Sequence, residues 1–248
     1  MLTIENAQVF GFQAAIRGMR NPKNSWAKSD SYPCAILGEL TDKNRLYRCS
    51  GCKNEFAGRP NCTVVGENDL KLATALANSG PDDGKFLRMI HVQLDVTAPL
   101  YWWKEADQYK VGTVTDSCST MHKIDAKEFT FDDFSYEHLL NMANNDAGDA
   151  LFLNDTNNIR VDSDNLLGLT INVLNYYRGR YIKTKDKRYW WQMIQLLPSS
   201  YNQRRTWDLN YAVLRNIYHA RRNHKLDEWH TLCDWIKMLP YAEELICG

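Results

Sequence analysis

The sequence has no net charge, no long apolar run and no internal repeat. Among its 248 residues, 30 lysines and arginines balance 30 aspartates and glutamates. This balance argues against a general nucleic-acid coat protein, and no nucleic acid is expected as a partner, although a local basic groove remains possible. No run approaches the roughly 20 apolar residues of a membrane-spanning helix, so no membrane partner is expected.

The first residues also lack the pattern of a secretory signal. The stretch "MLTIENAQVFGFQAAIRGMR" has polar residues where such a signal needs a continuous apolar core. The chain contains seven cysteines, an odd number. We therefore expect reduced thiols and a cytoplasmic location.

Four cysteines lie in an irregular segment, residues 31–64. Cys49 and Cys52 form a C-x-x-C motif, with Cys34 before it and Cys62 after it. A zinc site needs four sulfur or imidazole ligands in a tetrahedral arrangement, but only three of these cysteines are close in sequence and no histidine is near. Structural free thiols are favoured, a zinc site completed by Cys34 and a redox pair stay open, and no metal ligand is assigned.

Regular elements are predicted on both sides of this segment. In "MIHVQLDV" apolar and polar residues alternate, which predicts a strand with one buried face. A helix is predicted within residues 130–146, and the last third is predicted to be helical. With no Pro/Gly-rich linker, we predict one α+β domain over residues 1–248, a mixed sheet packed with long helices. The four late helices are predicted over Leu166–Tyr181, Lys187–Leu197, Thr206–Arg221 and His224–Met238.

The predicted helix Thr206–Arg221 carries a functional signal. At 100° per residue, a stripe with an apolar middle begins at Asn210 and ends at Arg221. An apolar stripe faces an interior or an interface, and a buried guanidinium there requires an anionic partner. That partner could be a carboxylate of the protein, or the phosphate or uracil-like edge of a ligand.

Residues 109–123, "YKVGTVTDSCSTMHK", are rich in small hydroxyl side chains. The loop predicted over residues 112–123 suits a segment that wraps a polar ligand, and it equally suits a surface turn. Cys118 is predicted to be a buried structural thiol, because only His122 offers a basic partner nearby in sequence.

Two stretches resemble the flavin-dependent thymidylate synthases. The segment "QLLPSSYNQRRTWDLNYAVLRNIYHARRNHKLDEWHTL" is similar to the C-terminal signature of that family, which has a Leu-Pro turn and then a helix with two ligand asparagines and an arginine. Counted from Pro198, Asn210, Asn216 and Arg221 fall at the family spacing. The ending "HKLDEW" is displaced by one residue from the family pattern.

The second stretch, "APLYWWKEADQYKVGTVTDSCS", resembles the family's Arg-His-Arg motif and the residues before it. Tyr109-Lys110-Val111 stands in place of the triplet, and Ser119 matches the serine that follows. Lys104 and Glu105 match an upstream Arg-Gln pair, with one extra residue before the triplet. The resemblance covers residues 70–238, and residues 1–69 match only weakly.

This resemblance implies a function as well as a fold. It implies transfer of a one-carbon unit to dUMP or a related pyrimidine deoxynucleotide, with FAD as hydride carrier, reduced folate and NADPH as co-substrates, and no protein nucleophile. It also implies a homotetramer. The implied cofactor-binding residues are Asn210, Asn216, Tyr109 and Lys110, and the implied substrate-binding residues are Lys104, Glu105, Ser117, Ser119 and Arg221.

The sequence departs from the family at several charged positions. Only Lys110 is cationic in the triplet, Ser117 replaces a glutamate, and Met121 and Ile194 replace nucleotide-binding arginines. Each charge-assisted phosphate contact contributes about 1.5–3 kcal/mol, so losing several would weaken dUMP binding by orders of magnitude.

Other cations could compensate for this loss, namely Lys104, Arg88, Arg204 or Arg205. If they do not, the alternative is a catalytically altered nucleotide-binding protein on the same fold. A helical protein of another class, with a coincidental resemblance, is the third possibility. Of these, a divergent enzyme is preferred.

Overall fold

The computed structural model describes residues 1–33, 63–140, 151–153 and 159–248, and of residues 151–153 and 159–161 only the backbone. The strands are β1 (Thr3–Phe10), β2 (Tyr32–Pro33), β3 (Thr63–Val64), β4 (His91–Pro99), β5 (Val114–Ser117), β6 (Leu151–Leu153), β7 (Ile159–Val161) and β8 (Asn202–Asn210). The helices are α1 (Phe12–Arg20), α2 (Glu67–Asn78), α3 (Leu100–Ala106), α4 (Thr120–Lys123), α5 (Ser163–Thr184), α6 (Lys187–Leu196), α7 (Tyr211–Arg221) and α8 (Asp227–Lys237). No helix among these residues is long and apolar enough to cross a membrane.

Strands and helices together confirm the predicted α+β fold. The main sheet has the strand order β1-β4-β8-β5, and β2–β3 and β6–β7 form separate antiparallel pairs. The chain divides into two compact units. The first unit contains Met1, Thr97–Glu105 and Ser117–Arg205, and the second contains Leu2–Val96, Ala106–Asp116 and Thr206–Gly248. The prediction that residues 1–248 form a single domain stays a prediction.

Strand β4 has the one buried face that its alternation predicts. Val92, Leu94 and Val96 of β4, and Ile90 directly before it, are each at most 1% exposed. On the other face, the side chains of β4 pair with polar residues of β8. The Gln93 amide donates to Asp208 at 3.1 Å, and the hydroxyl of Thr206 donates to Asp95 at 2.6 Å. The sheet therefore has an apolar buried face and a hydrogen-bonded polar face.

The predicted helix Thr206–Arg221 is wrong in its first five residues. Residues Asn202–Asn210 form strand β8, and α7 begins only at Tyr211. The inward positions of β8 include Gln203 and Arg205 as well as Trp207 and Leu209. Because two inward residues are polar, the apolar period of two covers too few positions to indicate a strand.

Two other segments differ from their predictions. Within residues 130–140, the described part of the predicted helix 130–146, the structure has only a 3₁₀ turn, Phe131–Asp133. The Asp133 carboxylate accepts a hydrogen bond from the backbone N–H of Thr130 in a capping box. This bond pairs an N–H at the start of the turn, and the turn ends at Asp133. The predicted loop 112–123 contains β5 and the short helix α4.

A buried ion pair fixes the start of α2 in the second unit. Arg20 Nε lies 2.5 Å from Asp69 Oδ1, and the two residues are 4% and 0% exposed. The hydroxyls of Ser29 and Ser31 also donate to Asp69, both at 2.6 Å. Burial by itself would raise the pKa of Asp69, but the hydrogen bonds from Ser29, Ser31 and Arg20 and the charge of Arg20 lower it overall.

Asp69→Asn should destabilise the protein strongly, because it leaves the Arg20 guanidinium buried without its counter-charge. Breaking a buried pair costs about 3–5 kcal/mol, or roughly 6–20 °C in melting temperature. The exposed Asp82→Asn is the control and should change stability by less than about 0.5 kcal/mol.

The effect of Asp69→Asn on stability should depend on pH. Since folding lowers the pKa of Asp69, its carboxylate stabilises the fold above its unfolded pKa, and this contribution disappears as the pH falls through the folded pKa. The stability difference between wild type and Asp69→Asn should therefore shrink below about pH 4. A difference that persists unchanged in acid, measured by thermal melting, would contradict this assignment.

Candidate functional site

Four side chains meet at the end of α7 in the second unit: Tyr109, Arg221, His224 and Trp229, which we call the Arg221 cluster. Arg221 Nε donates to the phenolic oxygen of Tyr109 at 2.8 Å. The guanidinium carbon lies 5.6 Å from the ring centre of Tyr109 and 4.8 Å from that of Trp229. The ring centres of His224 and Trp229 are 6.2 Å apart. Aromatic rings thus surround a half-buried guanidinium.

The turn after α7 brings these residues together. The backbone N–H of His224 donates to the Arg221 carbonyl at 2.9 Å, and His224 Nδ1 accepts from the N–H of Leu226 at 3.2 Å. Helix α8 then starts at Asp227 and places Trp229, which is fully buried, against Arg221.

This arrangement is suited to a planar or anionic ligand. A guanidinium offers five donors in a fixed plane that matches phosphate and carboxylate oxygens, and it stacks on aromatic faces. Cation–π contacts at these distances contribute about 0.5–2 kcal/mol and hold the plane in place. The Arg221 cluster therefore orients a half-buried guanidinium between two aromatic rings.

Asn210 has a different place from the one predicted. It is the N-cap of α7 and lies before the helix, where its Oδ1 accepts from the N–H of Val213 at 3.1 Å. Its Nδ2 donates to the carbonyl of Gly112 at 3.3 Å. Gly112 has a φ of +76°, and a Cβ there would lie 2.8 Å from Asn210 Nδ2. Asn210 therefore holds the segment after Tyr109 against the start of α7.

Lys110 and Asn216, the other predicted cofactor-binding residues, are both exposed. Asn216 lies five positions before Arg221 on α7, which places it about 140° around the helix from Arg221. The two residues that the structure brings together are Tyr109 and Arg221, one predicted for the cofactor and one for the nucleotide.

The remaining predicted residues belong to the first unit. Lys104 is exposed and Glu105 is half-buried, both on α3. Ser117 ends β5 and is exposed. Ser119 is also exposed, and its hydroxyl caps α4 by accepting from the N–H of His122 at 3.1 Å. Cys118, between the two serines, is exposed, so the prediction of a buried thiol is wrong.

Gln203, which the sequence did not single out, holds this segment in place. Its Nε2 donates to the carbonyl of Cys118 at 2.8 Å, and its own carbonyl accepts from Trp103 Nε1 at 2.9 Å. Arg205 Nε donates to Gln203 Oε1 at 3.0 Å, with its guanidinium carbon 4.3 Å from the Trp103 ring centre. Of the cations that could compensate in this unit, Arg205 is therefore held against Trp103, whereas Lys104 and Arg204 are exposed.

The sequence signal for the rest of the Arg221 cluster was indirect. His224 and Trp229 lie beyond the end of α7, so helical periodicity cannot connect them to Arg221, although they are the first and last residues of the quoted "HKLDEW".

Among the described residues, no group of three or more His, Cys, Asp or Glu could hold a metal ion. The cysteines of the open zinc question, Cys34, Cys49, Cys52 and Cys62, lie outside the described residues.

Comparison with solved structures shows which fold this is. Flavin-dependent thymidylate synthase ThyX from Helicobacter pylori, crystallised with FAD and dUMP, matches with a TM-score of 0.60 and 14% identity, over 98% of this chain and 97% of that chain. The chain has the flavin-dependent thymidylate synthase fold. The UMP/dUMP methylase PolB from Streptomyces cacaoi, bound with 5-Br dUMP, matches at a TM-score of 0.57 and 12% identity, over 100% and 95% of the two chains. No family model and no curated protein sequence matches this chain.

The two asparagines predicted to bind the cofactor should behave differently when replaced. Asn210→Ala removes the N-cap of α7 and the bond to Gly112, so it should cost about 1–2 kcal/mol of stability. Asn216→Ala, on the exposed face of the same helix, is the matched control and should cost less than about 0.5 kcal/mol. Chemical denaturation measures both, and equal losses would contradict the structural role of Asn210.

Proposed function

We propose that this chain is a divergent flavin-dependent thymidylate synthase-like enzyme that transfers a one-carbon unit to a pyrimidine deoxynucleotide, dUMP or a relative. The observation that carries the proposal is the near full-length likeness to ThyX, crystallised with FAD and dUMP, and to PolB, crystallised with 5-Br dUMP. The Arg221 cluster supports it independently, since it holds an oriented cation at a position that the sequence resemblance assigns to the nucleotide.

In this proposal Arg221 binds the nucleotide. Its guanidinium donates to the phosphate or to a carbonyl of the base, while Tyr109 and Trp229 hold its plane. The sequence resemblance assigns further substrate contacts to Ser117, Ser119, Lys104 and Glu105 of the first unit, and these four roles stay predictions. The chain contributes binding and orientation, and it supplies no nucleophile of its own.

Residues for FAD are present but few. Lys110 and Asn216 are exposed and can donate to a diphosphate and to a ring carbonyl, so these two positions fit the cofactor. Both polar atoms of the Asn210 amide already form hydrogen bonds, Oδ1 with the N–H of Val213 and Nδ2 with the carbonyl of Gly112. FAD, when bound, would carry the hydride, with reduced folate and NADPH as co-substrates.

A second function, nucleotide binding without flavin chemistry, is favoured by one observation. Val111 and Met121 replace cations of the family pattern, and they are 89% and 47% exposed. Neither side chain can contact a phosphate favourably. A chain that kept the Arg221 cluster but lost affinity for FAD would bind the nucleotide alone.

The visible spectrum of the purified chain separates these two functions. The enzyme proposal predicts a yellow flavin that is released on denaturation, or a rise in melting temperature when FAD is added to colourless protein. A colourless chain whose melting temperature ignores FAD would contradict the enzyme and leave the nucleotide-binding protein.

Replacing Arg221 tests the nucleotide site itself. At a dUMP concentration 100 times the dissociation constant, binding stabilises the folded state by about 2.7 kcal/mol, which raises the melting temperature by roughly 5–10 °C. Arg221→Ala should abolish this rise, while the exposed neighbour Arg222→Ala should retain it. The melting temperature of each variant is measured with and without dUMP. The rise is the difference between these two values, so an effect of the substitution on the stability of the unliganded protein cancels. An unchanged rise in Arg221→Ala would remove Arg221 from the site.

The assembly and the location of the protein stay predictions. A homotetramer and a cytoplasmic location follow from the sequence resemblance and the expected reduced thiols. Along α5 in the first unit, Leu166, Leu169 and Val173 are exposed at the three- and four-residue spacing of helix pairing, which is compatible with contact between copies.

A further inference from the structure

We propose that the hairpin of α5 and α6, residues 176–191 of the first unit, is a binding surface for single-stranded nucleic acid. The surface joins the last turns of α5 to the first turns of α6 through residues 185 and 186. Its features do not depend on the proposed enzyme function, because all of its residues lie in these two helices and their connection.

The first observation is a local concentration of positive charge. Between residues 178 and 188, six side chains are lysine or arginine and one is acidic, although the whole chain has no net charge. The acidic residue, Asp186, caps α6 and pairs with Arg188 at 2.7 Å. Arg178 lies 3.6 Å from Glu128.

Four cations of the hairpin remain without a carboxylate in ion-pair contact within the described part of the chain. They are exposed and lie on both helices and on the connection between them: Arg180, Lys183, Lys185 and Lys187. Several cations on one hairpin are suited to contact the phosphates of a single strand.

The second observation is that aromatic rings alternate with these cations. Tyr177 and Tyr189 are stacked, with ring centres 6.2 Å apart and planes at 27°. Tyr176 is 61% exposed and Trp191 is 42% exposed. Lys187 Nζ lies 5.6 Å from the centre of the Trp191 ring.

Two further cations are held against rings in the same way. The guanidinium carbon of Arg180 lies 5.1 Å from the ring centre of Tyr189, and Lys185 Nζ lies 5.4 Å from that of Tyr181. Arg180 also donates to the phenolic oxygen of Tyr189 at 2.9 Å. Three cation–ring pairs therefore lie within the hairpin.

This combination fits a single strand better than other polyanions. Unpaired bases expose faces that stack on aromatic rings, while the phosphates between them contact the cations. A duplex hides its base faces and would use the cations alone. A lipid surface would require a continuous apolar face to insert, but the exposed large apolar side chains of the hairpin, Tyr176, Ile182 and Trp191, are separated along the chain by lysines and arginines.

Fluorescence anisotropy with labelled oligo(dT) and oligo(U) of about 20 nucleotides tests the proposal on the full chain, since one site covers roughly 4–16 nucleotides. Binding should weaken as the salt concentration rises. The slope of the logarithm of the binding constant against the logarithm of the salt concentration should decrease in magnitude by about 2 when three phosphate contacts are removed. The triple variant Lys183→Gln, Lys185→Gln, Lys187→Gln should bind at least tenfold more weakly. Trp191→Ala should bind at least fivefold more weakly, from lost stacking.

The control removes three exposed lysines of the second unit, as Lys23→Gln, Lys71→Gln, Lys85→Gln, and should bind like wild type. No binding of either oligonucleotide, or equal loss in the control and hairpin variants, would overturn the proposal. Binding to phosphatidylserine vesicles without binding to either oligonucleotide would also overturn it and assign the hairpin to membranes. Duplex DNA that competes as well as the single strands would refute the stacking role of the rings.

Discussion

The hydrogen bond from Arg221 to Tyr109 is the interaction on which the candidate site depends. It joins two residues 112 positions apart, one after α3 and one at the end of α7. At the other end of α7, Asn210 holds Gly112. Because both contacts involve residues 109–112, this segment is held against α7 at two points. The position of Tyr109, and with it the orientation of the Arg221 guanidinium, is therefore set by the backbone of this segment.

The same contact shows which group replaces a cation of the family motif in this chain. The sequence resemblance places Tyr109 where the family motif has an arginine. Tyr109 instead accepts a hydrogen bond from Arg221 and presents its ring face to the guanidinium. In the proposed nucleotide site, position 109 therefore adds no positive charge, and a phosphate there would gain less from charge-assisted hydrogen bonds.

What could be predicted from the sequence follows from the strength of each local pattern. Strand β4 was predictable because four consecutive inward positions, from Ile90 to Val96, are apolar. Strand β8 was not, because Gln203 and Arg205 occupy inward positions: the Gln203 amide donates to the Cys118 carbonyl and accepts from Arg205, whose guanidinium lies against the Trp103 ring. Cys118 and Trp103 are 85 or more positions away from these residues, so no local window contains them.

The candidate site could be predicted only in part for a related reason. The family spacing led to Arg221 and Asn210 as candidates, but spacing alone cannot separate an asparagine that binds a ligand from one that caps a helix. The partners of Arg221, namely Trp229 and His224, depend on the turn after α7, and the exposure of Cys118 depends on the pairing of its backbone with β8. Each of these is a tertiary contact and not a property of the segment itself.

A crystal structure of the chain with dUMP tests the central claim most directly, because it locates the nucleotide without assuming any activity. The account predicts dUMP with its phosphate or its uracil carbonyl within hydrogen-bond distance of the Arg221 guanidinium, and with Tyr109 and Trp229 still packed against that group. Density for the nucleotide at another place, with Arg221 unchanged, would contradict it.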